Sequence, residues 1–225
     1  MKIFFSAILL TLTASGFCQL IRRAVIDNRI KSIEMSMYDL IENNDVQVQK
    51  KYFYLSGDDS LELHNGVLYF TFKKTVRSDG RTKNLSRFDS KGREDELHIY
   101  KYNIDNSYSI EIIAQGAGTI SLKKFNSSHD CIEEIQSSSD TIYFSITKSG
   151  QVEKIYQKDS GIIKDVAIAE LDSLGFPSTE KFIGEPEICR RRNNKFGLPE
   201  EINIYTIDRG DEKLTGRILF KYEFY

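Results

Sequence analysis

TIYFSITKSGQVEKIYQKDSGIIKDVAIAELDSLG, residues 141–175, is the stretch from which the fold is read. Ile142, Phe144 and Ile146 alternate with more polar neighbours, the period of a half-buried strand. Lys148-Ser149-Gly150 turns that strand into a second, Val152 to Gln157, which Asp159-Ser160-Gly161 brings to an end. Ile163, Ala167, Leu171 and Leu174 then recur at steps of three and four, so the spacing predicts a helix over 162–174, closed by Gly175 and Pro177. The unit reads strand, Gly turn, strand, Gly turn, helix.

Working outward, the chain downstream from Phe176 to Pro199 reads as loop and holds all three prolines. Two strands follow, Glu201 to Ile207 and Leu214 to Tyr225, with Ile218, Phe220, Tyr222 and Phe224 on one face of the last. Upstream, NSSHDCIEEIQSSSD reads as a Ser-rich connector. Before it come Thr119 to Phe125 and a hairpin of Glu96 to Ile104 with Tyr108 to Ala114, for which Leu97, Ile99, Ile110 and Ile112 are expected to form the inner face. A further hairpin joins Leu61–His64 to Val67–Lys73 through Asn65-Gly66, a pair that accepts positive φ at both turn positions. Lys51 to Leu55 is an aromatic-rich strand. Between the hairpins, Lys74 to Asp95 reads as a long basic loop. From Ile21 to Asn44, Ile26, Ile30, Ile33, Met37, Leu40 and Ile41 follow a helical period, which predicts an amphipathic helix packed on the protein's own sheet. The fold class expected is therefore α+β: mostly antiparallel sheet, an N-terminal amphipathic helix, and one helix in the C-terminal part.

The first residues set the compartment. Lys2 precedes an uncharged run, apolar from Ile3 to Leu12 and built of small residues from Thr13 to Gly16, the layout of an export signal. Residues 1–18 are read as that signal, 19–127 as helix plus antiparallel strands, and 128–225 as a β-β-α-β-β part, with one continuous domain over 19–225 as the alternative. The chain is expected in the periplasm or outside the cell, with no stable membrane span once the signal is gone. A lipoprotein acylated at Cys18 is the lesser alternative, because bulky Phe17 precedes it. In an oxidising compartment Cys131 and Cys189 are a candidate disulfide, against the alternative of two separately buried thiols.

Composition limits the chemistry. The formal charge of -2 over 225 residues offers no field to attract nucleic acid. His64, His98 and His129 fall on separate elements without metal-ligand spacing, and no nucleophile elbow, phosphate loop or dinucleotide motif is present. No cofactor, metal or catalytic residue is assigned. The candidate contact residues are basic: Arg190, Arg191 and Arg192, the densest cationic spot, and Arg81 and Arg87 with Phe88 as an apolar anchor in the basic loop. They would suit an anionic ligand.

ITKSGQVEKI at 146–155, DSG at 159–161, Ala167, Ala169, Leu171 and FKYEF at 220–224 together resemble the C-terminal domain of TonB-type energy transducers. That resemblance implies a small α+β sheet whose C-terminal edge strand recruits a protein partner by strand addition. The function expected is an exported, non-catalytic cell-envelope binding module. A small secreted hydrolase using His129 or His98 is one alternative. An eight-stranded outer-membrane β-barrel, suggested by the strand number and by Tyr222, Phe224 and Tyr225, is the other.

Overall fold

The computed structural model describes residues 23, 25–41, 46–136, 141–147, 152–159 and 162–225. The export signal at 1–18 with Cys18, and the turn residues Lys148-Ser149-Gly150 and Ser160-Gly161, lie outside the described residues. The strands are β1 (Ile30–Asp39), β2 (Gln47–Phe53), β3 (Asp59–His64), β4 (Val67–Val76), β5 (Thr82–Asp89), β6 (Glu94–Tyr102), β7 (Tyr108–Ala114) and β8 (Gly118–Phe125). They continue as β9 (Cys131–Gln136), β10 (Thr141–Ile146), β11 (Val152–Asp159), β12 (Ile162–Leu171), β13 (Pro177–Phe182), β14 (Glu187–Asn193), β15 (Pro199–Asp208) and β16 (Asp211–Phe224). Each strand pairs antiparallel with its sequence neighbours, and β16 returns to pair with β1, so the sheet closes into one barrel.

The α+β expectation is overturned. Of the predicted N-terminal helix, residues 23 and 25–28 are helical among the described residues, and β1 takes up most of the predicted span. In β1 the inward residues Ile33, Met35 and Met37 alternate with outward Ser32, Glu34 and Ser36, opposite Tyr222, Phe220 and Ile218 of β16. The helix predicted over 162–174 is β12. Its marker residues Ile163, Ala167 and Leu171 are four apart, a step that a period of two satisfies as well as a period of 3.6; β-branched Ile162, Ile163, Val166 and Ile168 decide for the strand. Without that helix the resemblance to the TonB C-terminal domain fails. The presumed loop from Lys74 to Asp95 is the end of β4, a tight turn, β5, a second turn and the start of β6; its polar composition reflects a strand that carries Arg87 on its inner face. Phe176–Pro199 likewise holds β13 and β14. The connector at Asn126–Asp130 is a hairpin turn whose flanking strands β8 and β9 are paired.

The Asn65-Gly66 hairpin forms as read, with φ of 49° and 78°. The β6–β7 hairpin also forms, but its faces differ from expectation: Tyr100 opposes Ile110 and His98 opposes Ile112, which sends Leu97 and Ile99 outward.

One turn recurs around the rim reached by even-numbered strands, called here the upper rim. In each copy the first residue's N–H bonds to the fifth residue's carbonyl, and the fourth residue's N–H bonds back to the first; the copies begin at 54, 77, 103, 126, 172 and 194. The fourth residue has positive φ every time: Gly57, Gly80, Asn106, His129, Gly175 and Gly197. This is a type I turn followed by a left-handed residue, which bulges one strand and continues its twist. Where the first residue is Asp or Asn, its side chain adds to the turn, as Asp172 Oδ1 does by accepting from the N–H groups of Leu174 and Phe176 at 2.8 and 3.0 Å. The barrel is thus a ring of like hairpins, each about two strands long.

The inside of the upper half is packed with apolar side chains in two clusters. Leu85, Tyr100, Tyr108, Phe125, Phe144 and Ile155 belong to one, while Ile30, Ile33, Phe53, Ile202 and Phe220 belong to the other. Val25 of the helical turn is buried in the second cluster, and Arg23 reaches across to both carboxylate oxygens of Asp130 at 3.2 Å. The N-terminal turn therefore straps the upper mouth.

Candidate functional site

Below the apolar half, alternation along the strands turns charged side chains toward the barrel axis. On β2 and β3 the inward residues are Gln49, Lys51, Glu62 and His64. Glu62, 6% exposed, accepts from Gln49 Nε2 at 2.6 Å, stands 2.6 Å from His64 Nε2, and is 3.4 Å from Lys51 Nζ. Burial raises its affinity for a proton, but Lys51 and the bonds from His64 and Gln49 outweigh that and hold the carboxyl below its usual range. Asp59, at the start of β3, behaves oppositely. It lies deep in the wall yet keeps some solvent contact, and burial pushes its carboxyl up, with Lys51 opposing and Glu62 reinforcing the shift.

The pattern continues on β5 and β6. Arg87 points inward beside Leu85 and bonds Asp95 at 2.8 Å and Glu96 at 2.7 Å, with its guanidinium 4.0 Å from the Phe70 ring centre. Glu96 also meets His98 Nε2 at 3.2 Å. Just above, Asp58 is 2% exposed and accepts from Thr82 Oγ1 at 2.5 Å, Ser56 Oγ at 2.8 Å and the Tyr100 hydroxyl at 2.8 Å. Farther round, Ser121 donates to Glu134 Oε1 at 3.0 Å. Glu134 Oε2 is buried with no hydrogen bond; Lys123 stands 3.6 Å away, close enough for charge attraction but too far to donate. On β13 and β14, Glu180 and Arg191 pair at 2.6 Å.

The inner wall therefore holds paired charges, most of them removed from bulk water. Among the described residues, no group of three His, Cys, Asp or Glu is placed to hold a metal ion.

The predicted contact residues are scattered by the same alternation. Arg191 points inward with its side chain 5% exposed; Arg190 and Arg192 point outward, to Glu212 at 2.7 Å and to Glu200 and Glu201 at 3.1 and 3.2 Å. Arg81 sits in an upper turn 2.7 Å from Asp79, Arg87 lies inside, and Phe88 lies outside under Lys73. Every one of these arginines already faces a carboxylate, so they form no common anion site. Cys131 and Cys189 are both free and buried in different clusters, so the candidate disulfide is absent; burial pushes each thiol up to about 12. Strand addition at the C-terminal strand has no edge to use, because β16 is paired on both sides. His98 and His129 stand apart, the former on Glu96 and the latter against the Tyr108 ring.

Assigning polar strand residues to the outer face misses the inner charges. Shared parity could have found them: Glu96, His98, Tyr100 and Tyr102 alternate along one face, as do Glu62 and His64.

No protein-family model matches the chain, and no curated protein matches it in sequence. Solved structures resemble it weakly. A porin-like protein from Bacteroides uniformis is 10% identical with a TM-score of 0.43, over 86% of this chain and 98% of that one. A TcdB2-TccC3-TEV structure is 9% identical with a TM-score of 0.34, over 86% of this chain but 14% of that one, and TcdB2-TccC3-Cdc42 is matched over 10% of its length. At these scores the fold rests on the hydrogen bonding described above.

Proposed function

We propose that the chain is an exported β-barrel of the cell envelope that acts without catalysis. The observation that carries this reading is closure of sixteen antiparallel strands into one ring, which leaves no edge open to other chains. The apolar run after Lys2 supports export. The inner ionisable groups contact one another rather than a poised nucleophile, which favours a structural or pore-lining role over a hydrolase.

The outer face supports a barrel that stands in water. Cross-strand ion pairs stand on it: Lys101–Glu111 and Lys124–Glu133 at 2.8 Å toward the upper rim, with Lys154–Asp165 at 2.7 Å and Lys181–Glu170 at 2.6 Å farther round. In lipid, an outward Lys would cost about 2–4 kcal/mol at mid-depth and about 0–1 kcal/mol near the interfaces. Strands β3 and β13 have 6 residues, whereas a spanning strand needs roughly 9–11. A second reading, a barrel set in the outer membrane, has its own support in the even-numbered antiparallel ring. Fractionation followed by alkaline carbonate extraction separates the two. Release from envelope membranes is expected; retention in the pellet would establish the spanning barrel, and a cytoplasmic chain still carrying its first residues would overturn export.

A further inference from the structure

The upper-rim turn between β14 and β15 differs from its copies. At their second and third places the other described copies carry Leu55-Ser56, Ser78-Asp79, Ile104-Asp105, Ser127-Ser128 and Ser173-Leu174, whereas this one carries Lys195-Phe196. Among the described copies it alone presents an aromatic ring there. Phe196 is 48% exposed, and so is Phe224 at the end of β16. Between turn and strand lies an open notch of about 650 Å³, lined by these two rings and Tyr222 with Asn194, Lys195, Glu200 and Lys221. That volume falls within the roughly 300–1,000 Å³ of small-molecule sites.

Both walls are fixed by the fold. Asn194 N–H bonds the Leu198 carbonyl at 2.8 Å, and its Oδ1 accepts from the N–H groups of Phe196 and Leu198 at 2.9 and 3.1 Å. Phe176 of the neighbouring turn packs so closely on Gly197 that a Cβ there would meet its ring. Across the notch, β16 stays paired with β1 as far as Phe224, and the Tyr222 hydroxyl donates to the Pro199 carbonyl at 2.7 Å. A site held in this way loses little freedom when a ligand enters.

The polar atoms left over select the ligand. Among the described residues Asn194 Nδ2 and Glu200 Oε1 make no hydrogen bond, and Lys195 Nζ rests 4.9 Å from the Phe196 ring centre without an ion pair. The notch therefore offers amide and ammonium donors, a carboxylate acceptor and aromatic faces. An acyl chain would displace water from those polar groups and leave them unpaired, which is costly. An anion would find only Lys195 without a counter-charge, because Lys221 faces Glu34 at 3.4 Å and Glu200 Oε2 faces Arg192 at 3.1 Å; one exposed ammonium holds little. A sugar ring uses both kinds of group. Its C–H face lies on the negative face of an aromatic ring, and its hydroxyls both donate and accept.

We propose that this notch is a carbohydrate site that seats a neutral saccharide against Phe196 and Phe224, with Asn194, Lys195 and Glu200 bonding its hydroxyls. The proposal goes beyond the envelope role. It is the same for a barrel in water and a barrel in a bilayer, because the notch opens at the rim.

Saturation-transfer difference NMR of the purified chain, with maltotriose, cellotriose and triacetylchitotriose each added to about 10 mM, tests this. Transfer to at least one of the three is expected, with a dissociation constant on the order of 0.1–1 mM. Phe196→Ala should weaken that binding at least about tenfold and Glu200→Gln about threefold, while Leu174→Ala, on the adjacent turn of the same rim, should leave it unchanged. Phe224→Ala serves as a second variant if Phe196→Ala alters the far-ultraviolet circular dichroism, with the same expected loss. No transfer to any of the three sugars would overturn the proposal. So would an equal loss from Leu174→Ala, or binding that neither aromatic change weakens.

Discussion

Replacing Arg190, Arg191 and Arg192 one at a time with Ala tests whether strand alternation or local sequence governs their roles. In the sequence they are one basic run; in the barrel they divide between two environments. Arg191 is 5% exposed at its side chain and meets Glu180, itself 17% exposed, through Nη2 at 2.6 Å and Nε at 3.0 Å. Removing the guanidinium leaves that carboxylate among Cys189 and the second apolar cluster with no counter-charge, a loss of about 3–5 kcal/mol for a buried pair broken on one side. Arg190 and Arg192 are 47% and 64% exposed at their side chains, so their pairs are screened and each truncation is worth about 0–1 kcal/mol. Urea unfolding followed by circular dichroism reads the difference as a shift in midpoint at constant slope. On thermal unfolding, Arg191→Ala should lower the midpoint by roughly 6–20 °C, from about 2–4 °C per kcal/mol at this chain length. Arg191→Met combined with Glu180→Gln should recover most of the loss, because neither charge is then stranded. Equal effects at all three positions, or no recovery in the double variant, would refute the inward placement of Arg191.

Asp59→Asn should stabilise the barrel at neutral pH. A carboxyl whose folded pKa is raised binds its proton more tightly in the folded state; stability from that source is full below the unfolded value of 3.8 and lost as pH rises through the folded pKa. The gain from Asn should therefore shrink toward zero below about pH 4, and urea midpoints that show a loss at both pH values would contradict the reading. Gly197→Ala should cost more than Gly80→Ala. Both have positive φ, but an added Cβ at 197 would meet the Phe176 ring at 2.2 Å whereas nothing lies within 4 Å at 80. The Gly80 change should cost about 1–2 kcal/mol from backbone strain alone, and equal unfolding midpoints for the two variants would rule out the close approach. Cys131 and Cys189, with thiols pushed up to about 12, should resist a thiol reagent in the folded chain and react on unfolding, with no mobility difference between reduced and unreduced gels.

Much of the strand content was legible, because turn chemistry is local: Asn65-Gly66 and Asp105-Asn106-Ser107 mark their hairpins from sequence. What was not legible depends on period and on distance. Four-residue spacing at Ile163, Ala167 and Leu171 cannot tell strand from helix. Inward charge at Arg87, Glu62 and Glu134 breaks the rule by which an inner face is read as apolar. Closure of β1 onto β16 brings Ile33 to Tyr222, a pairing that no local pattern announces. The repeat was within reach, since a left-handed residue three places after each turn start recurs every two strands, four times as Gly. It was obscured by Asn106 and His129, which take the glycine's place.

The seam between β1 and β16 also orders events in time. Every other pairing joins strands adjacent in sequence, so each hairpin can zip as soon as its second strand is available. β1 cannot: one of its edges waits for the final residues of the chain, and during that wait the growing sheet is an open ribbon with a free edge at each end. An exported chain would pass through this state outside the cytoplasm, with Ile30 and Ile33 uncovered until Phe220 and Tyr222 arrive. The length of β16, 14 residues, gives that last encounter the longest docking line in the molecule. Removal of Tyr222–Tyr225 should therefore slow ring closure and divert chains to aggregation before it measurably weakens barrels that have already closed.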